Sequence, residues 1–227
     1  MTTTSAARLG TTRASYDTVA ADYAELFADD LDGKPLDRAM LAAFSEVVRA
    51  VGLGPVADVG CGPGRVTAHL TRLGVTAFGV DLSPGMIEAA RKRHPELDFA
   101  VGMMTALDIG DGTLGGVLAW YSMCHTPLDE LPPAFEEFHR VLAPGGYLLM
   151  AFMTGGAEQM VHYDHGYGHD LDLDIHRHDP DKVAALMTEA GFTVTGRLTR
   201  EADAREKTPQ TFIMARRPQT EGEVGAE

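Results

Sequence analysis

The stretch Val56-Ala57-Asp58-Val59-Gly60-Cys61-Gly62-Pro63-Gly64 decides how the rest of the chain reads. A short apolar run meets three glycines spaced one apart, and RVTAHLTRL (65–73) follows with helical spacing and Gly74 as its stop. Strand, glycine turn and helix in that order form a cradle for a ligand. Glycines allow positive φ and let a bound group lie against bare backbone, and the first turn of the helix offers unpaired N–H groups. The spacing is G-x-G-x-G, and Arg65 stands where the dinucleotide pattern G-x-G-x-x-G has its last glycine. That departure speaks against a nicotinamide oxidoreductase. The next apolar run, TAFGVD (76–81), ends in Asp81, 17 residues after Gly64. A carboxylate at that strand end can accept both hydroxyls of a ribose; the plainer alternative is an ordinary tight turn with a capping Asp.

Outward from this centre, strands and helices alternate. Ser83 and Pro84 begin a helix that runs to about His94. Strands are expected at LDFAVG (97–102), GGVLAWYS (115–122) and YLLMAFM (147–153), with a helix from Leu131 to Leu142 before the last of them. Asp179-Pro180 opens a helix that stops at Gly191, and 192–201 with 210–217 read as a closing antiparallel pair. Strands separated by helices imply a parallel sheet with right-handed crossovers. Ahead of the glycine turn, helical spacing appears at Val19, Tyr23, Leu26 and Phe27, and again from Met40 to Val48. Residues 1–12 and 219–227 read as flexible tails around a single domain at 13–218.

Composition bounds the function. With 227 residues and 44% hydrophobic content, the chain can build one substantial core. A formal net charge of -14 repels polyphosphate, so no nucleic-acid partner is expected. No apolar run approaches the roughly 18 residues of a membrane span, and Met1–Gly10 has no signal-peptide core. Two cysteines, Cys61 and Cys124, exclude a disulfide scaffold and fit a cytoplasmic protein.

VADVGCGPGRVTAHL (56–70) followed by FGVDLSPGMIEAAR (78–91) resembles the class I S-adenosylmethionine-dependent methyltransferases. FHRVLAPGGYLLMAF (138–152) and DKVAALMTEAGFTV (181–194) resemble that family's later segments, so the likeness runs from about Tyr16 to Pro218. It implies a Rossmann-like α/β three-layer sandwich with a mostly parallel seven-stranded sheet and an N-terminal helical lid. It implies S-adenosyl-L-methionine as cofactor, with Gly60, Gly62 and Gly64 lining its methionine and ribose parts. Asp58 would lie near the cofactor amino group or organise the loop, Asp81 would bind the ribose, and Leu82 would pack on the adenine. Met86, Met103, Met104 and Trp120 complete the expected cofactor wall. Tyr16 and Tyr23 would belong to the lid and reach cofactor or substrate, or merely pack there. Two departures stand out: Met103 replaces an Asp that commonly accepts from the adenine amino group, and Gly115-Gly116 replaces an aromatic–Asp pair.

Methyl transfer from a sulfonium is an in-line displacement in which alignment supplies about 7–11 kcal/mol. A general base adds about 10²–10⁴-fold where the acceptor must lose a proton. His125 follows the fourth strand at the carboxyl edge of the sheet and is the candidate catalytic base, or else a loop histidine before Pro127. Of Trp120 and Tyr121, alternation sends one to the pocket and one to the core; Tyr121 is the candidate substrate contact. Cys124 reads as core rather than as a reactive thiol.

Five histidines (162, 165, 169, 176, 178) interleave with aspartates between 162 and 179. Leu171, Leu173 and Ile175 alternate there with polar residues, the pattern of a half-buried strand. The segment reads as a substrate-covering flap that brings His162 and His165 to the substrate, as a plain edge strand, or as a metal site lacking any short ligand signature. No metal is assigned. The acceptor is expected to be a small molecule, such as a natural-product intermediate, handled by a monomer or homodimer. A non-methylating protein of the same fold, a cofactor-assisted cyclase or a sensing module, is the alternative.

Overall fold

A computed structural model describes residues 3–155 and 159–219. The elements run α1 (Thr3–Leu26), α2 (Pro35–Val51), β1 (Val56–Val59), α3 (Arg65–Arg72), β2 (Ala77–Asp81), α4 (Pro84–Arg93), β3 (Phe99–Val101), β4 (Leu114–Trp120), α5 (Pro132–Val141), β5 (Leu142–Met153), β6 (Gln159–Gly166), β7 (His169–Arg177), α6 (Pro180–Glu189), β8 (Thr193–Arg200) and β9 (Gln210–Arg216). Seven strands form one sheet in the order β3-β2-β1-β4-β5-β9-β8. The first five are parallel, and β9 pairs antiparallel with both β5 and β8. This is the expected three-layer architecture. The order reverses between β1 and β4, so the crevice for a ligand opens above the carboxyl ends of these two strands.

Strands β1 and β4 are buried at every residue, as central parallel strands covered on both faces must be. Val59, Val117, Ala119, Met150 and Phe152 point to the layer of α5 and α6, where they meet Phe135, Phe138, Val183 and Met187. Val56, Leu118, Trp120, Leu149 and Ala151 point the other way, to Leu41, Phe44 and Val48 of α2 and Val66 and Leu70 of α3. The Gly115-Gly116 departure has its reason here. A Cβ on Gly115 would lie 2.6 Å from the Gly54 carbonyl oxygen, and one on Gly116 would lie 2.9 Å from the Phe44 ring. The loop after α2 therefore lies against Gly115, and α2 itself packs against Gly116, where a larger pair would stand.

Two expectations change. Helix α1 already starts at Thr3, so residues 3–12 are helical rather than a loose tail. Arg8 pairs with Glu130, and Thr12 is buried. Tertiary contact thus holds a segment whose composition favours no structure. Of the other expected tail, residues 220–227 lie outside the described residues. The segment around 160–177 is also more than a lone edge strand: β6 and β7 form a separate antiparallel hairpin, bulged between Tyr163 and His165.

Hydrogen bonds tie the lid to α4 and to β7. Asp17 Oδ1 accepts from the Ser83 hydroxyl (2.6 Å) and from the Gly85 N–H (2.9 Å) at the start of α4. The Ser15 hydroxyl bonds the backbone of Asp172 in β7. No helix among the described residues is long and apolar enough to cross a membrane.

Candidate active site

The turn after β1 is held by the chain itself. The N–H groups of Gly60 and Cys61 donate to the Val80 carbonyl at 2.7 and 3.1 Å. All three glycines have positive φ, but they serve different ends. A Cβ on Gly60 would sit 2.1 Å from Ser122 Cβ, and one on Gly64 would sit 2.6 Å from the Phe99 ring. Those two positions are packing positions, and Gly64 is not on the cavity wall. A Cβ on Gly62 would meet nothing within 4 Å; its bare face opens on the cavity that Gly60, Gly62, Asp81, Leu82 and Met86 line.

Asp81 accepts from the Gly62 N–H and the Ser83 N–H, each at 2.8 Å. Burial raises its pKa, and these two N–H bonds pull the other way. Asp58 lies behind the turn. Its Oδ2 accepts from the Thr67 hydroxyl at 2.7 Å, its Oδ1 is buried without a partner among the described residues, and burial pushes it up to about 7. It does not line the cavity and acts on the loop from below. Ser122 Oγ, on the cavity wall, is likewise buried and unpartnered. Open space at Gly62, a carboxylate at the end of β2 and an unsatisfied hydroxyl on the wall fit a nucleoside-bearing ligand.

Met86, Met104 and Trp120 stand on the cavity wall as expected. Met103 does not: its side chain faces a smaller neighbouring hollow with Leu9 and Met104. Trp120 and Tyr121 both reach the cavity, so the expected division between them fails. The cause is the backbone. Tyr121 has φ +55, a strained value for a non-glycine residue that breaks strand alternation at the end of β4.

A 3-10 turn, Met123–His125, follows. His125 Nδ1 lies 2.9 Å from the Asp174 carbonyl oxygen, and Nε2 lies 2.8 Å from the Tyr16 hydroxyl. A carbonyl only accepts, so Nδ1 carries the proton and the Tyr16 O–H donates to Nε2. Both ring nitrogens are engaged, and burial lowers the imidazole pKa to about 4. Burial likewise raises Tyr16 well above the usual phenol range and pushes the Cys124 thiol up to about 12. Cys124 is therefore core, not nucleophile.

His162 and His165 lie on the outer face of the hairpin, paired with Asp174 (2.9 Å) and Asp170 (3.3 Å), and are on the wall of neither this cavity nor the hollow beside it. His162 is held protonated to higher pH by Asp174. The strand alternation that turns Val161 and Tyr163 inward turns His162 outward. Among the described residues no three His, Cys, Asp or Glu side chains converge on a metal position. The sequence reading missed Arg8, Leu9 and Thr12 on the cavity wall, and Phe27, Tyr163 and Tyr167 in an adjoining hollow. Arg8, Thr12, Tyr16 and Tyr23 repeat at helical spacing along one face of α1, and Phe27 continues the pattern just past its end, a signal that extending the lid pattern toward the N-terminus reveals.

Comparison with known proteins gives the same picture. Residues 56–146 match a family model described as a methyltransferase domain. Demethylmenaquinone methyltransferase from Chlorobaculum parvum is 34% identical over 92 residues, 40% of this chain and 37% of that protein. The chain thus aligns with well under half the length of that relative. Demethylmenaquinone methyltransferase from Beutenbergia cavernae is 29% identical over 206 residues, 80% of this chain and 82% of the relative. Among solved structures, magnesium protoporphyrin IX methyltransferase from Synechocystis, with bound S-adenosylmethionine, superposes with a TM-score of 0.68 at 14% identity over 92% of this chain and 97% of that one.

Proposed function

We propose that the chain is a class I S-adenosylmethionine-dependent methyltransferase, a reading supported by the methyltransferase-domain match over residues 56–146 and by the Beutenbergia relative, and that it transfers the methyl group of S-adenosylmethionine to a small-molecule acceptor. The observation that carries this reading is Gly62, the one glycine of the turn whose missing side chain leaves open cavity beside Asp81. Bound there, the cofactor supplies a methyl group already activated by positive sulfur. The chain's own residues do the rest. Asp81 would turn its carboxylate to the ribose hydroxyls, Leu82 and Met104 would enclose the adenine, and Gly62 would let the ligand approach the backbone. Lid residues Tyr16 and Tyr23 close over it and exclude water.

His125 enters this reading as a positioning residue. A base serves best with a pKa near the working pH, and His125 lies far below it. Its neutral ring, oriented by the Asp174 carbonyl, fixes the Tyr16 hydroxyl at the cavity. The test is direct: incubate the protein with S-adenosylmethionine and a panel of small metabolites, and follow S-adenosylhomocysteine together with a product heavier by one methylene. Turnover with any acceptor supports the reading. Cofactor binding without turnover across a broad panel favours the non-methylating alternative.

A further inference from the structure

A second cavity adjoins the first, sharing Tyr16, Tyr23, Arg65 and Tyr121 with it. The hairpin adds Tyr163 and Tyr167, and the turn that follows α1 adds Phe27. Aromatic faces thus dominate its apolar wall, with Tyr23 edge-on to Tyr167 at 5.3 Å.

Its charge is the opposite of the whole molecule's. Five cationic and two acidic side chains line it, on a chain of formal net charge -14. Both acids are already compensated. Asp30 lies 3.2 Å from Lys34 and 3.6 Å from Arg65. Glu206 lies 3.1 Å from Lys34 and accepts from Arg200 at 2.7 Å, and its pKa is held down at about 2. Two cations have no such partner. The Arg177 guanidinium donates to the neutral Gln159 amide oxygen at 3.1 Å, and the Lys207 ammonium lies 5.6 Å from the centre of the Tyr163 ring. Neither has a carboxylate within ion-pair distance among the described residues. Among the described residues a cationic acceptor would find no free counter-ion here, whereas an anion would find Arg177 and Lys207.

We propose that this cavity is the acceptor site and that it takes an anionic aromatic molecule, its ring among Tyr163, Tyr167 and Phe27 and its carboxylate, sulfonate or phosphate on Arg177 and Lys207. Calling the occupant an acceptor rests on the methyl-transfer reading above; the selectivity for aromatic anions does not. The hairpin is then the specificity element of the fold: Tyr163, Tyr167 and Arg177 all come from it, next to the lid that covers the cofactor.

The experiment uses fluorescence titration of the full chain with anilinonaphthalene sulfonate and with its neutral twin, N-phenylnaphthylamine. The wild type is expected to bind the sulfonate about tenfold tighter than the twin, the scale of a charge-assisted hydrogen bond. In Arg177→Gln/Lys207→Gln that preference should fall to about twofold or less, with affinity for the neutral twin unchanged. A control of equal charge change on α4, Lys92→Gln/Arg93→Gln, should keep the full preference. Equal affinity of the wild type for the two probes overturns the proposal, as does a preference that survives in the double variant or disappears in the control. Calorimetry with S-adenosylhomocysteine runs beside it. No binding to the wild type strikes the cofactor reading and removes the word acceptor, while the dye titration still decides whether the cavity selects aromatic anions.

Discussion

His125 and Asp58 show how burial sets titration in this molecule, and in opposite senses. His125 falls from 6.5 to about 4. Between those values the unfolded chain binds a proton that the folded chain does not, so this residue's contribution to stability is lost as pH drops from 6.5 toward 4. Asp58 rises from 3.8 to about 7. Here the folded chain holds the extra proton, so its contribution is present at low pH and lost as pH rises through 7. Each effect is on the order of 2–4 kcal/mol. Subtracting wild-type from variant stability at each pH isolates them. His125→Gln should gain on the wild type as pH falls below 6.5, and Asp58→Asn should gain as pH rises toward 7. Denaturant melts from pH 4.5 to 7.5 check both, and parallel curves would refute the burial argument. At the same scale, Asp81→Ala should weaken cofactor binding by about 1.5–3 kcal/mol, the value of hydrogen bonds to a charged group; calorimetry on the folded variant measures it.

At the scale of elements, the glycine turn divides its labour, and the division is testable. Gly60→Ala places a methyl group against Ser122 in a left-handed backbone, and it should cost about 2–4 kcal/mol of stability, read by denaturant melts. The hairpin gives a second test. His162→Ala/His165→Ala removes outward-facing rings and should leave acceptor KM within about twofold, because surface changes away from a site are nearly neutral. Steady-state kinetics decide. The hairpin also shows what sequence can and cannot disclose. The alternation at 171–175 announced β7. Strand β6 carries only Val161 and Tyr163 as inward apolar positions, too short a pattern to stand out. The histidines drew notice by their chemistry; alternation with Val161 and Tyr163 already pointed His162 to solvent, whereas His165 faces outward because of the bulge after Tyr163, and His176 and His178 are buried. The glycine turn, Asp81 and the strand–helix order were legible because each depends on local backbone demands. The Tyr16–His125–Asp174 chain was not, since it joins α1, the turn after β4 and β7, segments far apart in sequence.

Across the whole molecule, one arrangement explains both cavities. The sheet reverses its order between β1 and β4, the glycine turn and Tyr121 rise at that point, and α1 lies over them, tied to α4 through Asp17 and to β7 through Ser15. The lid thus forms a wall of the cofactor cavity and a wall of the aromatic one at once. The central claim is that the open face of Gly62 is where S-adenosylmethionine lies. The measurement that tests it most directly is calorimetric titration of S-adenosylmethionine into the wild type and into Gly62→Val. Nothing in the fold stands within 4 Å of the new Cβ, so the variant should still melt cooperatively, losing only about 1–2 kcal/mol to the left-handed backbone. It should give no binding heat where the wild type gives a saturating isotherm. A folded Gly62→Val that binds the cofactor as tightly as the wild type would contradict the account.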